Sequence, residues 1–93
     1  MMAARGLRNN NPGNIRLSRT LWQGEIRPSQ DRSFCQFRTM AYGYRALEMQ
    51  VPNTYVPDVD DRAAMCAFAA AISQVENGVP AVMADVAAGW ELL

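Results

Sequence analysis

Asn9-Asn10-Asn11-Pro12-Gly13-Asn14 restricts this chain more than any other stretch. Asparagine amides imitate backbone turns, proline fixes one dihedral and removes a donor, and glycine supplies the positive dihedral, so neither helix nor strand runs through it. Apolar and aromatic residues flank it closely, which makes it a turn within a domain and not a linker. From Ile15 to Phe37 the pattern is short and β-like, with Leu21-Trp22, Gly24 and Ile26 followed by the alternating Phe34-Cys35-Gln36-Phe37. One or two short strands in a hairpin are expected, joined by the polar stretch from Pro28 to Ser33.

Helical spacing begins at Met40, where Met40, Tyr44, Leu47 and Val51 recur by four, three and four up to the prolines Pro52 and Pro57. A second helix is expected from an Asp58 or Asp60 cap, with Asp61 in its first turn, to the Asn77-Gly78 stop. Its apolar stripe reads Met65, Phe68, Ala69, Ile72 and Val75. Pro80 opens a third, with Val82, Met83, Val86, Trp90 and Leu93 on one face. The 93 residues suit one domain over 1–93, residues 1–39 forming the Asn/Arg-rich loop and β-hairpin and 40–93 the helical part. The fold class is α+β, mainly α, with a short β-hairpin and about three helices.

Missing residues narrow the chemistry. The chain has no histidine, and all nine of its basic residues are arginine. Ser-His and Cys-His catalysis, histidine-metal sites, Schiff-base lysines and phosphate-cradling P-loops are therefore excluded. No metal and no cofactor is implied. Cys35 and Cys66 read as reduced packing residues. The N-terminal residues have no signal-peptide stretch, and the apolar run from Ala63 to Ile72 is about half a membrane span, so membrane insertion is not expected. The net charge of zero conceals eight arginines against two acids in residues 1–47 and one arginine against seven acids in residues 48–93. The two halves can attract each other, or the basic half can face an anionic polymer. With net charge zero, nucleic acid is a disfavoured partner.

Glu76 is the candidate acid. It follows Ile72 by four, in the last turn of its helix, where the helix dipole and a partly apolar setting disfavour ionisation. A carboxyl kept protonated near neutral pH is what a general acid for glycosidic cleavage requires. The position also reads as an ordinary solvated glutamate ahead of a helix stop, which is the commoner case. Asn10, Asn11 and Asn14 offer paired donors and acceptors that suit sugar acetamido and hydroxyl groups. Trp22 and Tyr44 offer flat faces for sugar rings, and Arg45 a partner for a carboxylate. Asparagines that only build a turn and aromatics that only fill a core are the competing reading.

Arg5-Gly6-Leu7-Arg8-Asn9-Asn10-Asn11-Pro12-Gly13-Asn14-Ile15-Arg16, Trp22-Gln23-Gly24, Phe34 to Phe37 and Tyr42-Gly43-Tyr44-Arg45-Ala46 together resemble a phage and prophage family whose members open with RNNNPGNIR. Its members are usually described as virion structural proteins, and some as lysozyme-like or lytic-transglycosylase-like proteins that degrade peptidoglycan. The resemblance covers residues 5–47, and Val59 to Leu93, with Val75-Glu76-Asn77-Gly78, is similar to the end of longer members. A helical segment and a Trp-Ala-Pro-Pro stretch of those members are missing, with Pro52-Asn53-Thr54-Tyr55-Val56 as a clipped remnant.

The resemblance implies a lysozyme-like domain acting on peptidoglycan glycan strands. Its expected partners are other virion proteins. It would reside in the virion, or in the bacterial cytoplasm during assembly, and act at the cell wall once exported or injected. Glu76 would protonate the glycosidic oxygen, with Asp85 or Glu25 as second carboxylate for a hydrolytic route. The alternatives are a non-catalytic virion or glycan-binding module and, third, a small nucleic-acid-binding protein. Lysozyme-like transglycosylases carry their acid at a helix end, but here it follows the Asn-rich segment. A permuted site therefore needs Glu76 within roughly 10 Å of the Asn9–Asn14 loop, the span of one sugar ring in a cleft.

Overall fold

In the computed structural model, residues 3–51, 55–56 and 58–93 are described. Among them are four helices and one two-stranded antiparallel sheet, a mainly helical α+β fold. The elements are α1 (Arg5–Arg8), β1 (Glu25–Ile26), β2 (Gln36–Phe37), α2 (Met40–Gln50), α3 (Arg62–Asn77) and α4 (Met83–Glu91). The single turn of α1 is one helix more than the sequence predicts. Four residues give too little periodicity to register, and its last carbonyls are satisfied by the Asn-rich turn, where the Asn11 amide donates to the Gly6 carbonyl at 2.8 Å.

The hairpin forms where expected, with Glu25 opposite Phe37 and Ile26 opposite Gln36. α2 begins at a Thr39 cap whose hydroxyl accepts from the Tyr42 amide. It ends as Val51 turns extended, the conformation favoured before a proline. Pro52, Asn53, Thr54 and Pro57, the expected helix breakers and most of the clipped remnant, lie outside the described residues.

Two expectations for α3 need correction. Its N-cap is Asp61, whose carboxylate accepts from the Ala64 amide at 3.0 Å, and not Asp58 or Asp60. An N-cap oxygen must reach an amide two or three residues on, and Asp58 spends its own on the Asp60 amide. The buried face is Met65, Cys66, Ala69, Ser73 and Asn77, whereas Val75 is 84% exposed. On α4, likewise, Val86 and Gly89 are buried while Val82, Met83 and Leu93 are exposed.

The main core joins Tyr44 and Leu47 of α2, Cys66 and Ala69 of α3, and Val86 of α4. α2 and α4 approach closely because Gly89 has no side chain; a Cβ there would lie 2.6 Å from Tyr44 Cβ and 2.9 Å from the Arg45 nitrogen. A second cluster of Ile15, Cys35, Phe37 and Ala46 fixes the hairpin to α2, with Trp22 and Tyr42 over it. Both cysteines are free and buried. Burial pushes the Cys35 thiol up to about 11 and the Cys66 thiol upward, which leaves both uncharged.

The opposite charges of the two halves are not matched by ion pairs between them among the described residues. Arg5–Asp31 and Arg27–Glu25 both lie within the first half, and Arg62–Glu91 lies within the second. The Arg5 guanidinium holds the Asp31 carboxyl well below the usual carboxylate range. No described helix is long and apolar enough to cross a membrane.

Candidate functional site

Most of the asparagine cluster is spent on the fold. Asn11 is fully buried; its Nδ2 donates to the Ile15 and Cys35 carbonyls at 3.0 and 2.9 Å, and its Oδ1 accepts from the Ile15 amide at 2.9 Å. Asn10 sits at φ 50° and donates to the carbonyls of Phe37 and Arg38. Asn9 donates to Asp31. Short amides tolerate the left-handed backbone and carry both donor and acceptor, so three in a row can fasten a turn to a neighbouring strand. Asn10 and Asn11, expected as sugar contacts, are thus committed to the backbone.

Asn14 is placed differently. It also adopts left-handed φ, at 48°, and its Nδ2 donates to Glu76 Oε2 at 3.0 Å, joining residues 62 positions apart. Asn77 supports that approach: it is buried and donates to the Pro12 carbonyl at 3.0 Å and to the Ser73 carbonyl at 2.8 Å. Gly6 makes room, because a Cβ there would meet Asn77 Oδ1, the Asn11 carbonyl and Asn14 Oδ1. Asn14 Oδ1 is itself buried and without a partner among the described residues. The loop and the end of α3 therefore meet, inside the roughly 10 Å expected, but the direct contact leaves no gap for a sugar ring between Asn14 and Glu76.

The surroundings of Glu76 differ from the expectation. The residue is exposed, so water takes the place of the partly apolar setting that the helical stripe predicts. One apolar feature adjoins it, a shallow groove of about 370 Å³ along α3 lined by Phe68, Ala71, Ile72 and Val75 as well as Glu76.

The other expected contacts are elsewhere. Tyr44 is a core residue whose hydroxyl donates to Ser73 Oγ at 2.8 Å, so no ring face is free for a sugar. Trp22 covers the hairpin cluster, with a buried Nε1 that has no partner among the described residues. Arg45 donates to the Leu92 carbonyl at 3.2 Å, beyond the end of α4. Of the second carboxylates, Glu25 is buried, paired with Arg27 and bonded to the Trp22 amide, while Asp85 lies in the first turn of α4. The structure unites Asn14 with Glu76 and leaves Trp22, Tyr44 and Arg45 outside that contact.

A different carboxyl has the environment sought for Glu76. Glu48 is 2% exposed, and among the described residues neither of its oxygens has a hydrogen-bond partner. Burial alone raises its carboxyl to about 7. It borders a cavity of about 640 Å³ where the last turns of α2 and α4 come together. The signal was present in the sequence: Glu48 follows Tyr44 by four and neighbours Leu47, which sets it inside the buried stripe of its helix.

Comparison with protein-family models and with curated proteins finds no match to this chain.

Proposed function

We propose that the protein is a lysozyme-like, phage- or prophage-derived virion domain that binds glycan strands of bacterial peptidoglycan. The Asn14–Glu76 hydrogen bond carries this reading. It puts an amide and a carboxylate side by side at the end of an apolar groove, the pairing of polar anchor and flat apolar floor that sugar rings need. The resemblance of residues 5–47 to virion proteins supplies the setting, at the cell wall and beside other virion proteins.

The exposure of Glu76 favours binding over cleavage, because a proton donor held neutral by desolvation needs a drier place. Wild-type protein is expected to sediment with purified sacculi and to release no soluble muropeptides. Glu76→Ala should weaken retention about tenfold, the share of one charge-assisted hydrogen bond set. Equal retention of Glu76→Ala would overturn the binding assignment. Muropeptide release that ceases in Glu76→Gln would replace it with a lytic transglycosylase or muramidase.

A further inference from the structure

The cavity at the C-terminal ends of α2 and α4 has one electrostatic sign. Glu48, Asp60 and Glu91 border it together with the apolar Val51 and Met65 and the indole of Trp90, and no basic side chain borders it among the described residues. Helix C-termini carry partial negative charge from their free carbonyls, and neither α2 nor α4 has a basic residue in its last turn. Glu48 lines this cavity, and its two oxygens, closed off from solvent, have no donor among the described residues. Such a group costs stability unless a donor comes to it.

We infer that this cavity binds an organic ammonium on a short apolar arm, with the Glu48 side chain turning into the cavity to accept from the ammonium and the arm lying against Trp90 and Met65. An inorganic metal ion fits less well, since no three carboxylates or thiols among the described residues are gathered closely enough to hold one. An alkylammonium instead spreads its demands as the cavity does, with donors at one end and methylenes that suit the apolar wall at the other. The site is separate from the Asn14–Glu76 contact, and neither depends on the other.

Binding has to be linked to protons. An ammonium requires ionised Glu48, whose carboxyl is raised to about 7 by burial. The other titratable or charged groups around it are Tyr44 on its own helix, Arg62 and Cys66 on α3, Glu91 on α4, and Asp60. Arg62 is already engaged by Glu91 at 3.3 Å, and the Tyr44 hydroxyl and Cys66 thiol remain uncharged through neutral pH. Burial thus places the titration of Glu48 between pH 6 and pH 8.

The test is titration of the whole chain with n-butylammonium, n-butanol and butyrate, followed by the assigned Trp90 indole NMR signal. Butylammonium should saturate the shift and bind about tenfold more tightly at pH 8 than at pH 6, as the ionised fraction of Glu48 rises. Butanol should bind at least tenfold more weakly than butylammonium at pH 8, and butyrate should leave the signal unmoved. Glu48→Gln should weaken butylammonium about tenfold at pH 8 and remove its pH dependence. Butanol binding as tightly as butylammonium, or an affinity flat between pH 6 and pH 8, overturns the proposal. The wild-type series decides this even if Glu48→Gln fails to fold. An N-acetyl-lysine methylamide arm identifies the source: binding equal to butylammonium assigns the site to a partner's lysine side chain, and binding much weaker assigns it to a free amine.

Discussion

Glu48→Leu is expected to raise the free energy of unfolding at pH 8 by about 4 kcal/mol, a large gain for a domain of this size. The native carboxyl titrates at about 7 and the unfolded one near its ordinary 4.5. The native state therefore binds more protons between those values, so wild-type stability is full below about pH 4.5 and falls as pH rises through 7. At pH 8 the protein carries the cost of a buried charge that has no partner among the described residues, and leucine removes it while filling similar space. At pH 4.5 the gain should shrink to about 1 kcal/mol, the cost of a neutral carboxyl with unmade hydrogen bonds. Urea unfolding of both proteins at pH 4.5, 6 and 8 measures the two curves. A wild-type stability that is level over this range would contradict the environment described for Glu48.

Gly43→Ala should act in the opposite direction and cost at least about 4 kcal/mol, enough to unfold much of the population at 37 °C. A Cβ on Gly43 would run into the Asn10 carbonyl oxygen and stand 2.6 Å from Pro12 Cδ. Both obstacles belong to the Asn-rich turn, which the Asn10 and Asn11 amides hold to the hairpin, so neither can move aside cheaply. Gly78→Ala is the control. Gly78 has φ 73° but open space around it, so that change should cost only about 1 kcal/mol of backbone strain. Thermal melts of the two variants separate steric exclusion from dihedral preference.

The contrast between these glycines marks what a sequence can express. The Asn77-Gly78 stop and the Met40 to Gln50 helix were legible because local spacing and caps determine them. The close approach at Gly43 was not, because it depends on a turn some thirty residues earlier in the chain. Val75 was misplaced for a related reason. At about 100° per residue it lies across the helix from the centre of Met65, Cys66, Ala69, Ser73 and Asn77, and that centre includes polar residues that an apolar count ignores. Ser73 is buried because the Tyr44 hydroxyl meets it, and Asn77 because it anchors the Pro12 carbonyl.

The candidate site divides along the same line. The approach of Glu76 to the Asn-rich loop followed from comparing segments, whereas its exposure depends on how much of α3 its neighbours cover. Glu48 shows the converse. A charged residue inside an apolar stripe is a visible irregularity, but only the ends of α2 and α4 meeting around it reveal that no partner arrives among the described residues.

The proposed contact between glycan and the Asn14–Glu76 pair is tested most directly by NMR titration of the labelled protein with tri-N-acetylglucosamine. The Asn14 side-chain amide and the backbone signals of Glu76 and Gly78 should shift first and together, followed by those of Ile72 and Val75 along the groove, and in Glu76→Ala the Asn14, Gly78, Ile72 and Val75 shifts should need about tenfold more sugar. Shifts confined to the α2–α4 end around Trp90, or none near Asn14 at millimolar sugar, would contradict it.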